Sequence, residues 1–274
     1  MRYDPVKDGF ARFFNRSYLL QRLFYGLLDL FFLRAWYVRR ELRAILGRGH
    51  ERVLDAGTGF GQYAHFVART FPQTEVIAVD VKEEYLAQAR AHLAHTRHRD
   101  RVTFAVDDLT DLQIAGPFDC ILSVDVMEHI EEDVAVLRHF ARVARPGGYV
   151  LINTPSDLGG SDAHVEGPGG FIDEHVREGY SLEELQSKLC EAGLTPVRGF
   201  YTYGRCGSLA WRLLIKLPLR VLNLSWAFVV LLPFYYLLAA PAGLLLHVCD
   251  MRSHHRAGTG LLVVAQKPPG SFGS

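Results

Sequence analysis

The stretch that most narrows what this chain can fold into is Val53 to Gly61, which reads Val-Leu-Asp-Ala-Gly-Thr-Gly-Phe-Gly. An apolar pair running into an acid, then glycine at 57, 59 and 61, describes a strand that turns sharply into a helix. Glycine permits torsions and close approaches that a side chain forbids, so such a turn can press its amides against a ligand. Spaced glycines also occur in plain turns, and the segments downstream decide between the two readings.

Four more apolar segments follow, most of them closing on acids. Glu75 to Asp80 (Glu-Val-Ile-Ala-Val-Asp), Arg101 to Asp108 and Phe118 to Asp125 read as buried strands. Ala141 to Pro155 reads as a helix end, a Pro-Gly-Gly turn and a fifth strand. Helical patterns at Gly61 to Thr70, Glu83 to His95 and Ile130 to Ala144 alternate with them, the pattern of a parallel sheet covered on both faces. Right-handed crossovers bring the strand ends to one edge, so Asp55, Asp80, Asp108, Asp125 and Asn153 should converge where open sheets bind ligands.

In order and spacing this set resembles the class I S-adenosylmethionine-dependent methyltransferases, from about Glu51 to Lys267. The resemblance implies an α/β fold with a doubly wound, seven-stranded Rossmann-like sheet whose last strand is antiparallel. Leu194 to Tyr203 and Gly260 to Gln266 fit the final antiparallel pair, after a helix opened by the capping pattern Ser181 to Glu184. It also implies a cofactor site. Asp55 and the turn Gly57, Thr58, Gly59 and Gly61 would hold the methionine end, and Asp80 the ribose hydroxyls. Val81 would lie beside the adenine and Asp108 by its exocyclic amine, with Asp107 and Asp125 also lining the site.

Asp125-Val-Met-Glu-His-Ile resembles, in addition, the acid-x-x-Glu-His pattern of ubiquinone-biosynthesis O-methyltransferases and small-RNA 2′-O-methyltransferases. There it supports a divalent ion, which implies a Mg2+ held by Asp125, Glu128 and His129. The plainer alternative has the Glu-His pair capping the next helix and packing under the cofactor. A hydroxyl acceptor needs a base or a metal because a phenol titrates near pH 10. His129, His175 and, in the Gly- and Ser-rich loop 156–170, His164 are the candidate bases.

Two stretches flank or interrupt this core, dividing the chain into 1–50, a methyltransferase domain over 51–204 and 260–267, and an insertion over 205–259. The formal net charge is zero, yet residues 1–50 carry ten Lys or Arg against four Asp or Glu. Ser17 to about Leu46 reads as one amphipathic helix in which Arg22, Arg34, Arg39, Arg40 and Arg43 are interleaved with Leu, Phe, Trp and Tyr. Arginines reaching toward lipid head groups are one reading, and a cap over the core is the other. In the insertion, Arg212, Lys216 and Arg220 stand at helical spacing, and Val221 to Cys249 holds no Asp, Glu, Lys or Arg. The strands on either side belong to one sheet, so this chain must leave and return on one side of a membrane. Pro233 and Pro241 are expected to divide it into pieces shorter than the roughly 20 residues of a crossing, giving a re-entrant or in-plane hairpin. A tight two-pass hairpin, and a wholly protein-buried subdomain or dimer face, are the rivals.

The four cysteines, at 120, 190, 206 and 249, show no metal or dense disulfide spacing and fit a reduced setting. Met1 to Arg16 lacks the continuous apolar core of a cleavable signal. Taken with the resemblance, these features imply a membrane-associated enzyme at a cytoplasmic face that uses S-adenosylmethionine, with membrane lipids as partners and no nucleic acid expected. The expected reaction is O-methylation of a lipophilic, quinone-precursor-like acceptor. Methyl transfer to nitrogen or carbon of a lipid, sterol or isoprenoid is the first alternative, and a non-catalytic membrane scaffold the second.

Overall fold

The computed structural model describes residues 18–47, 51–159 and 176–270. Expectations for residues 1–16 and for most of the 156–170 loop, together with His164 and His175, lie outside them.

The core is a sheet of seven strands: β1 (Arg52–Ala56), β2 (Glu75–Asp80), β3 (Val102–Val106), β4 (Phe118–Val124), β5 (Ala144–Pro155), β6 (Thr195–Thr202) and β7 (Gly260–Gln266). Their order is β3-β2-β1-β4-β5-β7-β6, with β7 antiparallel to both neighbours and the other pairs parallel. The reversal of strand order between β1 and β4 opens a crevice at the carboxyl ends, where ligands of such sheets bind.

The strands are apolar along their length because both faces are buried. Leu54, Ile121, Val150 and Ile152 face one side, against Val136, Leu137 and Phe140 of α5 (Asp133–Val143) and Leu185 and Leu189 of α6 (Leu182–Glu191). Val53, Cys120, Leu122 and Leu151 face the other, against α2 (Leu33–Ile45) and α3 (Gln62–Thr70). Helix α4 (Glu83–Ala94) completes the layer beside β2 and β3. The expected Pro-Gly-Gly turn is a bulge inside β5. Ala144 pairs Phe118 and Tyr149 pairs Cys120, so extra residues loop out, with Gly147 at φ +77°.

The single helix expected over Ser17 to Leu46 is two: α1 (Tyr18–Phe31) and α2, broken at Phe32, whose backbone is extended. The Trp36 indole N–H donates to the freed carbonyls of Asp29 and Leu30, at 3.1 and 3.3 Å. Helix α2 buries Leu33, Ala35, Tyr37, Val38 and Leu42 on the sheet, so this half is a cap over the core. Its arginines mostly serve protein: Arg39 pairs with Asp29 over the Phe66 ring, and Arg40 with the buried Glu41.

Between β6 and β7 the chain forms a helical hairpin. The outgoing limb is α7 (Arg205–Trp211), a π-helical turn over Arg212–Lys216 and α8 (Leu217–Leu224). A 3₁₀ segment, Trp226–Leu231, turns the tip, and α9 (Leu232–Arg252) returns. Proline explains the π turn. Pro218 has no N–H for the Leu214 carbonyl, and that carbonyl instead accepts the Tyr236 hydroxyl at 2.7 Å, as Leu213 accepts Tyr235 at 2.6 Å. Close approach of the limbs rests on Gly207 beside Asp250 and Gly243 beside Leu214.

Pro241 does not divide the returning limb as expected. It sits inside α9, and its ring is tolerated because only the carbonyl one turn back, on the exposed Leu237, loses its partner. The 3₁₀ segment runs straight into α9, and Ala227–Arg252 is therefore one continuous helical run of 26 residues, long and apolar enough to cross a membrane. Leu224, Val230, Phe234, Leu237, Leu238 and Leu245 of the hairpin are all more than two-thirds exposed.

Candidate functional site

The strand ends converge as the pattern requires, but their carboxylates differ in what they are free to do. Asp55 is buried and faces inward. It accepts the Thr58 hydroxyl at 2.6 Å and the Ala64 amide at 3.0 Å, tying the glycine turn to the start of α3. Burial pushes its carboxyl up to about 6, against the pull of those two hydrogen bonds. The amides of Gly57 and Thr58 both donate to the Val79 carbonyl, at 2.9 Å each, and Gly61 to Thr58. Gly59 donates to Asp80 at 2.8 Å, and space beside its α-carbon is open.

Glycine is required at 57. Its φ is +79°, and a β-carbon there would overlap Val126, lying 2.9 Å from Cγ1. Val126, two residues beyond β4, thus packs directly on the turn.

Asp80 also caps the next loop, accepting Lys82 N–H at 2.9 Å, and stays half-exposed at the end of its strand with acceptor capacity left on both oxygens. Beside it Val81 and Val106 are 59% and 56% exposed at the ends of neighbouring strands, an apolar gap without a protein cover. Of the two acids after β3, Asp107 is spent internally on the amides of Asp108, Gln113 and Ile114. Asp108 faces out, and hydrogen bonds from Thr110 hold its carboxyl below the usual range. Two outward carboxylates flanking an exposed valine pair fit an adenosine: hydroxyls and amine on the acids, the base on the valines.

The expected metal site does not assemble. Asp125, in the left-handed region at φ +53°, is ion-paired to Arg34 from α2. Glu128 is buried and accepts the Thr154 hydroxyl at 3.1 Å; burial raises its carboxyl well above the usual range. His129 points to solvent. Among the described residues no group of three His, Cys, Asp or Glu side chains is placed to hold a metal. The Asp125, Glu128 and His129 set is corrected accordingly: a guanidinium takes the first carboxylate and a threonine the second.

Several residues here carried no local signal. Arg34 also donates its backbone N–H to the Tyr203 hydroxyl at 3.0 Å, where burial lifts the phenol to about 12. Helix α1 latches over the glycine turn. The Tyr25 hydroxyl donates to the Phe60 carbonyl at 2.6 Å, Gln62 reaches Asp29 at 2.8 Å, and Phe60 packs on Tyr85 with centroids 4.5 Å apart.

Comparison with known proteins agrees with this geometry. Residues 53–148 match the methyltransferase domain family. The chain is 35% identical over 104 residues to the ubiquinone biosynthesis O-methyltransferase of Xanthomonas oryzae pv. oryzae, covering 38% of this chain and 42% of that one. It is 30% identical over 169 residues to the probable fatty acid methyltransferase of Pseudomonas putida, covering 58% and 41%. Thus the chain spans less than half the length of either relative. An S-adenosylmethionine-dependent methyltransferase from Mesorhizobium loti shares the fold, with a TM-score of 0.55, 20% identity and 85% and 99% coverage. Residues 53–148 thus carry a methyltransferase domain, in a sheet of the same fold as that neighbour and with a helical hairpin set between its last two strands.

Proposed function

We propose that this chain transfers a methyl group from S-adenosylmethionine to a lipophilic acceptor at a membrane surface. One observation carries the reading: the exposed apolar hairpin is rooted in the two strands that complete the methyltransferase sheet. A patch of this extent on one excursion needs a cover, and lipid supplies one without a partner chain. Anchoring the sheet in this way would hold its open edge near molecules dissolved in the bilayer, on the cytoplasmic face.

The cofactor, when bound, supplies an electrophilic methyl carbon. The chain would orient it, with Asp80 on the ribose hydroxyls, Val81 and Val106 against the adenine, Asp108 toward the exocyclic amine, and Gly59 admitting the methionine end. Asp55, Asp107 and the other glycines act one step back by fixing the loops. Arg34 neutralises Asp125 at the mouth of the acceptor side, and α1 excludes water above the turn. For a hydroxyl acceptor the proton would leave to His129, or to His164 or His175 of the 156–175 loop. O-methylation of a quinone-like ring is supported by the ubiquinone O-methyltransferase relative. Methylation at carbon of an acyl chain is the second reading, favoured by the longer match to the fatty acid methyltransferase.

The test is transfer of labelled methyl from S-adenosylmethionine into a membrane lipid extract by full-length protein in detergent. Organic-soluble label lost in Asp80→Ala supports the reading. Label confined to water-soluble products, or none with folded protein, would overturn it.

A further inference from the structure

Helices α1, α2 and α3 and the foot of α9 enclose an open cleft of about 660 Å³ lined by Asp29, Leu30, Trp36, four arginines and Met251. The arginines are Arg39, Arg40, Arg43 and Arg69. Their charges do not cancel. Asp29 is taken by Arg39, and Glu41 by Arg40 and by Arg198 at 2.8 Å. Arg43 and Arg69, both exposed, form no ion pair among the described residues. Arg43 lies over the Phe66 ring at 5.1 Å, as Arg39 does at 4.6 Å, so one aromatic ring helps to order both guanidinium groups. Two uncompensated guanidinium groups in one cleft fit a phosphate, which arginine can grip through paired N–H groups.

The position of the cleft selects the source of that phosphate. Helices α2 and α9 run side by side: Trp36 packs edge-on to His247 at 5.3 Å, and Arg40 donates to the Met251 carbonyl at 3.3 Å. The cleft therefore opens where the long apolar helix ends. Its wall is partly apolar, through Leu30, Trp36 and Met251, and Leu23, half exposed, lies two turns before Leu30 on α1. Cations beside apolar wall at the foot of a lipid-seeking helix match a phosphate that carries acyl chains.

We propose that this cleft binds the head-group phosphate of an anionic phospholipid and sets the depth and tilt at which the hairpin seats the enzyme. The inference rests on the membrane reading above. If it holds, Arg43 and Arg69 supply the preference for anionic membranes while the hairpin supplies the apolar part of binding.

Flotation of the full-length protein with vesicles separates the two. Vesicles of phosphatidylcholine alone are compared with phosphatidylcholine doped with phosphatidylglycerol, for wild type and for Arg43→Gln/Arg69→Gln. Each arginine near an anionic surface contributes a factor of about five in partitioning. The double variant is therefore expected to lose about 25-fold on doped vesicles and little on neutral ones. Arg97→Gln/Arg99→Gln, which removes the same charge from an exposed site elsewhere, should lose much less. Equal loss in that control, or equal binding of wild type to both vesicles, would overturn the cleft and leave the membrane reading standing. No flotation with either vesicle would overturn the membrane reading itself. Binding of inorganic phosphate that depends on Arg43 and Arg69, without any vesicle preference, would overturn the lipid assignment.

Discussion

The contact between Gly57 and Val126 ties the cofactor turn to the end of β4, and its strength can be read from a mutant cycle. In Gly57→Ala the new β-carbon would be held at φ +79°, which costs about 1–2 kcal/mol. It would also lie 2.9 Å from Val126 Cγ1, and nearer still to Cγ2, where carbons ordinarily rest about 3.5–4.0 Å apart. Overpacking of this kind costs about 1–3 kcal/mol, so the variant should lose about 2–5 kcal/mol in all. Val126→Ala removes both γ-carbons and leaves only Cβ, at 3.2 Å. Alone it should cost about 1 kcal/mol, since Val126 is half-buried. In the double variant the backbone cost stays and the overlap goes, so the two changes should couple by about 1–3 kcal/mol, the pair being more stable than the sum of singles. Urea unfolding of all four proteins gives the stabilities, and cofactor affinity should recover in parallel. Additivity within about 0.5 kcal/mol would refute the contact.

Burial of Asp55 makes a pH-dependent contribution. Its folded carboxyl titrates at about 6 against an ordinary 3.8, so between these values the unfolded chain releases a proton that the folded chain keeps. Stability should therefore fall as pH rises from about 4 to 6, by on the order of 3 kcal/mol, and Asp55→Asn should flatten that limb in urea titrations across the range. Leu237→Lys/Leu238→Lys, at two highly exposed positions, should abolish vesicle flotation while leaving the folded signal and cofactor binding intact. Cys206 and Cys249 bring their sulfurs to 2.6 Å across the foot of the hairpin. A mild oxidant should cross-link them within one chain, by mass and by non-reducing electrophoresis, and Cys206→Ser should prevent it; no such bond would contradict the antiparallel limbs.

The sheet was legible because its signals are local. Val53, Leu54, Cys120 and Ile121 are apolar on successive positions, as only a strand buried on both faces requires, and the acids that follow mark the ends. The hairpin was legible only in outline. Pro241 looked like a break, yet a helix with an exposed carbonyl one turn back keeps its course, and the Tyr235 and Tyr236 hydroxyls repair the limb containing Pro218. The acids of the site were visible as residue types, but not their duties. Whether Asp107 or Asp108 faces outward depends on which one the amides of residues 113 and 114 capture, a contact several residues away. Arg34 was hidden most completely. Its partner Asp125 lies 91 positions on, and nothing near Arg34 in sequence distinguishes it from Arg39 or Arg40, which turn elsewhere.

The most direct test is calorimetric titration of the detergent-purified protein with S-adenosylmethionine, wild type beside Asp80→Ala and each with and without magnesium. Saturable binding that is lost in the variant and indifferent to magnesium is expected. A folded wild type that binds no cofactor would contradict the enzyme and leave a scaffold, and binding that requires magnesium would contradict the pairing of Asp125 with Arg34.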